Sequence, residues 1–178
     1  MELKLNLFDL MLTAYHYLAH CTLGGMHLAG YHNGGSEYPM LSRNFFLLAT
    51  ALLAGQALAL DSTQQSHAQT IANVAKNYGT NSPQHACVTA VATAITESAL
   101  YIYANSKVPA SLNYPHDKVG SDHDSVGLFQ QRVSIYKNIA ADMDATGSTR
   151  QFLAEMVKIS GWQSIAPGTL AQKVQRSA

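Results

Sequence analysis

At 178 residues the chain has the length of a single domain, and its 11 Lys+Arg balance 11 Asp+Glu for a formal net charge of zero. That balance gives no global electrostatic reason to expect nucleic acid or an anionic membrane as a partner. Acidic groups do gather locally, at Asp117, Asp122 and Asp124, which argues against phosphate binding there as well.

Residues 1–39 mix Leu-rich sequence with Tyr15, Tyr17, four histidines between His16 and His32, and the Gly34-Gly35 pair. No apolar run of about 20 residues occurs, so stable membrane insertion is not expected. The histidine spacings match no regular metal-ligand pattern. Residues 40–59 carry Arg43, an apolar core of about ten residues and a small-x-small end at Ala57-Leu58-Ala59, which reads as a secretory signal peptide. A signal normally begins a chain, so translation is expected to start at Met40, residues 1–39 being an extension with no fold to explain. A true extension with an internal signal-anchor is the competing reading. The expected product is a secreted, extracellular domain, 60–178, near neutral with nine basic and eight acidic residues and long enough for one modest core. Cys21 precedes the signal, so Cys87 would stand alone as a buried, small, apolar residue. A Cys/His hydrolase using Cys87 with His116 or His123 is a rival, but no nucleophile motif surrounds Cys87.

From Asp61 to Lys76 the sequence is polar and then helical in pattern, with Ala68, Ile71, Val74 and Ala75 on one stripe. Asn81-Ser82-Pro83 offers an N-cap followed by proline at the first helical position. The helix it starts carries Val88, Val91, Ala92 and Ile95 at three- and four-residue spacing and closes on Glu97-Ser98. The residues three, four and seven before Glu97 are Ala94, Thr93 and Ala90, a small and uncharged side. A carboxyl there is poorly solvated, and desolvation raises its pKa toward the range a general acid needs. The alternative is a helix-end glutamate that points into water.

After Leu100 the chain passes Asn105 to Pro109 and Asn113 to Asp117 with almost no periodicity, an uncommon length of irregular chain that points to function. It delivers Asp117, Asp122 and Asp124. Gly127-Leu128-Phe129-Gln130-Gln131 then reads as a return to order, with amides able to bind a polar ligand. Val133 to Met143 reads as loop and short helix. Ser148 to Ser160 is a helix on Phe152, Leu153, Met156, Val157 and Ile159, with Gly161 as its stop. Leu170, Val174 and Ala178 mark a last short helix. Trp162, the one tryptophan, reads as a core residue more than as a sugar-stacking one. The fold class expected is mainly α, within α+β: a small helical domain with at most a short β-hairpin around Asp122 to Phe129, beside an active-site cleft.

A helical Glu97-Ser98 followed by Gly127-Leu128-Phe129-Gln130 resembles the signature of the lysozyme-like superfamily, in particular goose-type lysozymes and lytic transglycosylases. Closer still is a group of small secreted and phage-associated lysozyme-like proteins of actinobacteria and filamentous fungi. These carry an Asp-x-Asp-Ser-x-Gly-Leu-Phe-Gln-Gln-Arg segment and a downstream Gly-Trp-x-Ser. Here these are Asp122 to Arg132 and Gly161 to Ser164, followed by Ala171 to Ala178. The likeness covers about Cys87 to Ala178. Members of that group can hold a second cysteine in the last helix, absent from Thr169 to Gln172 here. They also run on for further residues, so truncation at Ala178 is expected.

The resemblance implies a glycan-cleaving enzyme, a glycoside hydrolase of lysozyme type or a lytic transglycosylase, acting without cofactor or metal on β-1,4 bonds of peptidoglycan or a related amino-sugar polymer. Such a bond has a poor leaving group, so a neutral carboxylic acid must protonate it; Glu97 is the candidate. Asp124 or Asp122 would be the second carboxylate, positioning water if it lies within about 10 Å of Glu97. Failing that, a single-acid route would give an anhydro-sugar. Ser125, Gln130 and Tyr136 are candidate partners for sugar hydroxyls or acetamido groups, although Gln130 could instead tie the loop to the helix and Ser125 cap it. Two non-catalytic alternatives remain: a secreted glycan-binding protein, and one stabilised by a divalent cation at Asp117, Asp122 and Asp124 with His116 or His123.

Overall fold

The computed structural model describes residues 60–177; the expected extension 1–39 and signal peptide 40–59 lie outside them. Helix α1, Ser62–Lys76, opens with a reciprocal cap. The Asp61 carboxylate accepts the Gln64 N–H at 2.9 Å, and the Gln64 side chain accepts the Asp61 N–H at 2.9 Å. Its Ala68, Ile71, Ala72 and Ala75 are buried, the i, i+3, i+4, i+7 stripe of an amphipathic helix. Helix α2, Pro83–Ser98, starts at the expected proline, but Ser82 in the cap position makes no side-chain cap bond.

Two small sheets follow. Strand β1, Tyr103–Asn105, pairs in parallel with β2, Lys118–Gly120, the crossover being a short 3-10 helix at Pro109–Asn113. This pair was not foreseen, because three-residue strands are too short to show alternation. The foreseen hairpin exists but is displaced toward the C-terminus: β3, Ser125–Val126, pairs antiparallel with β4, Gln131–Arg132. Its reversal falls within the Gly-Leu-Phe-Gln segment, where Gly127 (φ +75°) and Gln130 (φ +48°) take left-handed conformations. Short helices α3, Val133–Tyr136, and α4, Ile139–Asp142, lead into α5, Ala145–Met156, capped by the Asp144 carboxylate. Helix α5 ends well before Gly161, and a single 3-10 turn at Trp162–Ser164 precedes α6, Pro167–Ser177.

The described chain is thus mainly helical with a small strand component. Helix α1 packs on α2 and α5, and α2 packs on α6. Between them lies a core that includes Ile71, Val91, Leu100, Leu128, Phe129, Phe152, Leu153 and Leu170. Phe129 stacks on Phe152 with ring centroids 4.8 Å apart, which draws the centre of the Gly-Leu-Phe-Gln segment into the helical core. Trp162, 5% exposed and tilted against His85 at 5.9 Å, belongs to that core. Cys87 is buried as expected, and among the described residues no cysteine is free, which departs from its reading as a lone thiol. Among the described residues no helix is long and apolar enough to cross a membrane.

Candidate functional site

Helix α2 stops abruptly just after Glu97 and Ser98. Ala99 (φ 51°) and Leu100 (φ 64°) both lie in the left-handed region, an uncommon pair for residues that carry a Cβ. Surrounding bonds hold the reversal. The Ala99 N–H donates to the Ile95 carbonyl at 2.9 Å and the Leu100 N–H to the Ala94 carbonyl at 3.2 Å. From α1, Gln64 donates to the Ala99 carbonyl at 2.9 Å, and His67 Nδ1 lies 2.8 Å from the Leu100 carbonyl. Leu100 then buries its side chain completely, which turns the chain sharply and leaves Glu97 at the edge of the packed face.

Glu97 is exposed as a residue, yet protein packed around its carboxyl desolvates it and raises its pKa, with the Gln175 side chain acting in the opposite sense. Ala94 and Thr93, the residues three and four before it on the helix, are both buried, so Glu97 stands at the border between the packed interior and solvent. Ser98 is buried, and its hydroxyl donates to the Leu128 carbonyl at 2.8 Å while also lying 3.0 Å from the Ala94 carbonyl. One proton shared this way fastens the Gly127-Leu128-Phe129 segment to the helix end that carries Glu97. Gln175 of α6 reinforces the junction by donating to the Phe129 carbonyl at 2.9 Å.

The two aspartates expected to assist Glu97 are otherwise engaged. One Asp124 oxygen pairs with Arg132 across the hairpin, and the other accepts the Ser134 N–H at 2.8 Å. Ser134 first and Arg132 next hold its carboxyl well below the usual carboxylate range. Asp122, its side chain 82% exposed, takes His123 Nδ1 at 2.8 Å. The loop that carries both is held by buried Asn105, whose amide donates to the Asp122 and Ser125 carbonyls at 3.0 and 2.9 Å. Asn105 went unrecognised in the sequence, since nothing local distinguishes it from an ordinary loop asparagine.

The chain matches no protein-family model and no curated protein sequence.

Of the residues expected to bind substrate, Ser125 is buried in β3 and caps no helix. Gln130 donates to the Gly127 carbonyl at 2.9 Å, closing its own turn. Tyr136 is half-buried, and that burial pushes its phenol up to about 12. A second carboxyl, Asp142, has a raised pKa, pushed up to about 6 by burial and partly offset by Gln151, which donates to its Oδ1 at 2.8 Å. It is 0% exposed, so it cannot touch a polymer. Asp117 is occupied by the Ile102 N–H at 2.7 Å and neighbours His67. Among the described residues no cluster of three or more His, Cys, Asp and Glu side chains could hold a metal ion.

Proposed function

We propose that this is a secreted, lysozyme-like enzyme that cleaves β-1,4 bonds of peptidoglycan by a single-acid route, with Glu97 as that acid. The observation that carries the reading is that Glu97 combines solvent access with a carboxyl whose pKa is raised by desolvation. Asp142 shares the second property and lacks the first. The link between Glu97-Ser98 and Gly127 to Phe129 supports the lysozyme-like fold, because the two parts of the resemblance meet through Ser98 and Leu128.

Neutral Glu97 would give its proton to the glycosidic oxygen as the bond to the anomeric carbon breaks. The resulting carboxylate would take a proton from a sugar hydroxyl as that oxygen attacks the same carbon, closing an anhydro ring. One group serves twice, which suits a site where Asp124 is spent on Arg132 and Ser134. Hydrolysis would require a free second carboxylate to position water.

The deciding experiment pairs turbidity loss on purified peptidoglycan with product mass, for the full chain and for Glu97→Gln. The expected result is activity lowered by about 10²- to 10⁴-fold in the variant and wild-type products one water lighter than hydrolysis would give. Inactivity of a folded wild-type protein would leave a glycan-binding role; hydrated products would restore a two-carboxylate mechanism.

A further inference from the structure

We propose that Gln64 and His67 of α1 are positioning residues for Glu97: by holding the Ala99 and Leu100 carbonyls they stop α2 one residue beyond it and fix the helix end that presents its carboxyl. The inference rests on the reading of Glu97 as the acid and adds the groups that set its mounting.

The stop is not written in the local sequence. Ala and Leu stand at the top of the helix-propensity order, and the stretch from Glu97 to Ile102 holds no glycine, asparagine or proline to end a helix. Ala99 and Leu100 nevertheless sit at φ 51° and 64°, where a Cβ crowds the following carbonyl oxygen. Contacts from outside the segment must impose that conformation.

Helix α1 supplies them. Gln64 and His67 are three positions apart and so share a face. The Gln64 amide donates to the Ala99 carbonyl at 2.9 Å while its oxygen accepts the Asp61 N–H at 2.9 Å, which fixes the side chain at both ends. His67 Nδ1 lies 2.8 Å from the Leu100 carbonyl; a carbonyl only accepts, so that nitrogen carries the proton. The His67 side chain is 15% exposed and Leu100 fully buried. The next two residues are held as well, the Tyr101 hydroxyl donating to Asp61 at 2.5 Å and the Ile102 N–H to Asp117 at 2.7 Å.

In a continued helix the Ala99 and Leu100 carbonyls would accept the N–H groups of Tyr103 and Ala104. Turned toward α1, they close that route. An extended α2 would also lay Tyr101, four positions on, beside Glu97 and cover the side it offers to solvent.

The test compares the full chain with Gln64→Glu, His67→Leu and His67→Asn, each checked for folding by its melting curve. Gln64→Glu keeps the acceptor that caps α1 and removes the donor to Ala99; His67→Asn keeps a donor at the Nδ1 position. Backbone carbon shifts and N–H to Hα couplings by NMR report the sign of φ at Ala99 and Leu100. In Gln64→Glu and His67→Leu the left-handed signature is expected to disappear and kcat to fall about 10- to 100-fold with KM little changed, and His67→Asn to recover both. A folded Gln64→Glu or His67→Leu protein that keeps both left-handed residues overturns the proposal, and so does one that loses them at wild-type kcat. Should those variants fail to fold, the wild-type His67 ring decides: its neutral form must hold the proton on Nδ1, and a proton on Nε2 overturns the brace. A wild type that cleaves no glycan, with variants that still lose the left-handed pair, upholds the brace and removes only the catalytic reading of Glu97.

Discussion

The hydroxyl of Ser98 donates to the main-chain carbonyl of Leu128, 2.8 Å away and thirty positions along the chain. Both residues are buried, so water cannot replace the bond. Ser98→Ala leaves the Leu128 carbonyl without its donor, and the expected loss is about 1–3 kcal/mol of stability. Urea unfolding measures it, and an unchanged midpoint would show that the hydroxyl contributes nothing to the junction.

Gly127 is irreplaceable on two counts. Its φ is +75°, and a Cβ built there would lie 1.9 Å from the Asp142 carbonyl oxygen. Gly127→Ala must therefore strain the turn and push β3 away from α4, at an expected cost above about 3 kcal/mol. A soluble Gly127→Ala protein with a wild-type urea midpoint would show that the hairpin moves off α4 freely.

Asp124 behaves here as a hairpin fastener. Because its folded-state pKa is depressed, its contribution is present at neutral pH and lost as pH falls through and below the ordinary carboxylate range. Asp124→Asn is expected to lower stability at pH 7 and to flatten the acid side of the stability profile. Glycan cleavage should stay within about tenfold of wild type, against the 10²- to 10⁴-fold expected for Glu97→Gln. A folded Asp124→Asn protein with no cleavage would return Asp124 to the reaction.

Asp142 has the opposite sign. Its pKa is raised from 3.8 to about 6, so below about pH 4 both folded and unfolded forms hold the proton and its stabilising effect is complete. Between those values the unfolded chain ionises first, and stability falls as pH rises, by about 3 kcal/mol over the window. Glu97 shifts in the same direction, so the informative quantity is the difference between wild type and Asp142→Asn. That difference should close on acidification from pH 7 to pH 4; a constant gap would show that Asp142 ionises normally in the folded protein.

The parts of this fold legible in the sequence are those set by repeating apolar positions. Ala68, Ile71 and Ala75 announce α1, and Phe152, Leu153 and Met156 announce α5, because a 3.6-residue period survives in the sequence of any half-buried helix. What stayed hidden depends on single contacts between distant residues. Nothing local marks Asn105 as the support of the Asp122 to Ser125 loop, or Gln175 as the donor to the Phe129 carbonyl. Nor does the spacing of Asp122 and Asp124 reveal that Arg132 and Ser134 occupy the latter. For Glu97 the spacing of Ala94 and Thr93 left two readings, a desolvated carboxyl and one in water, and the residue is exposed with a carboxyl whose pKa burial raises. The burial of Asp142 was not readable, as its cover comes from the hairpin and α5.

The position of Trp162 makes the protein its own folding gauge. As the one tryptophan in the chain, packed at 5% exposure against His85, it gives an indole emission from a single environment when excited beyond the tyrosine absorption band. That emission shifts toward longer wavelength only when water reaches the helical core. An unchanged spectrum beside altered activity then separates a variant that lost its chemistry from one that lost its fold.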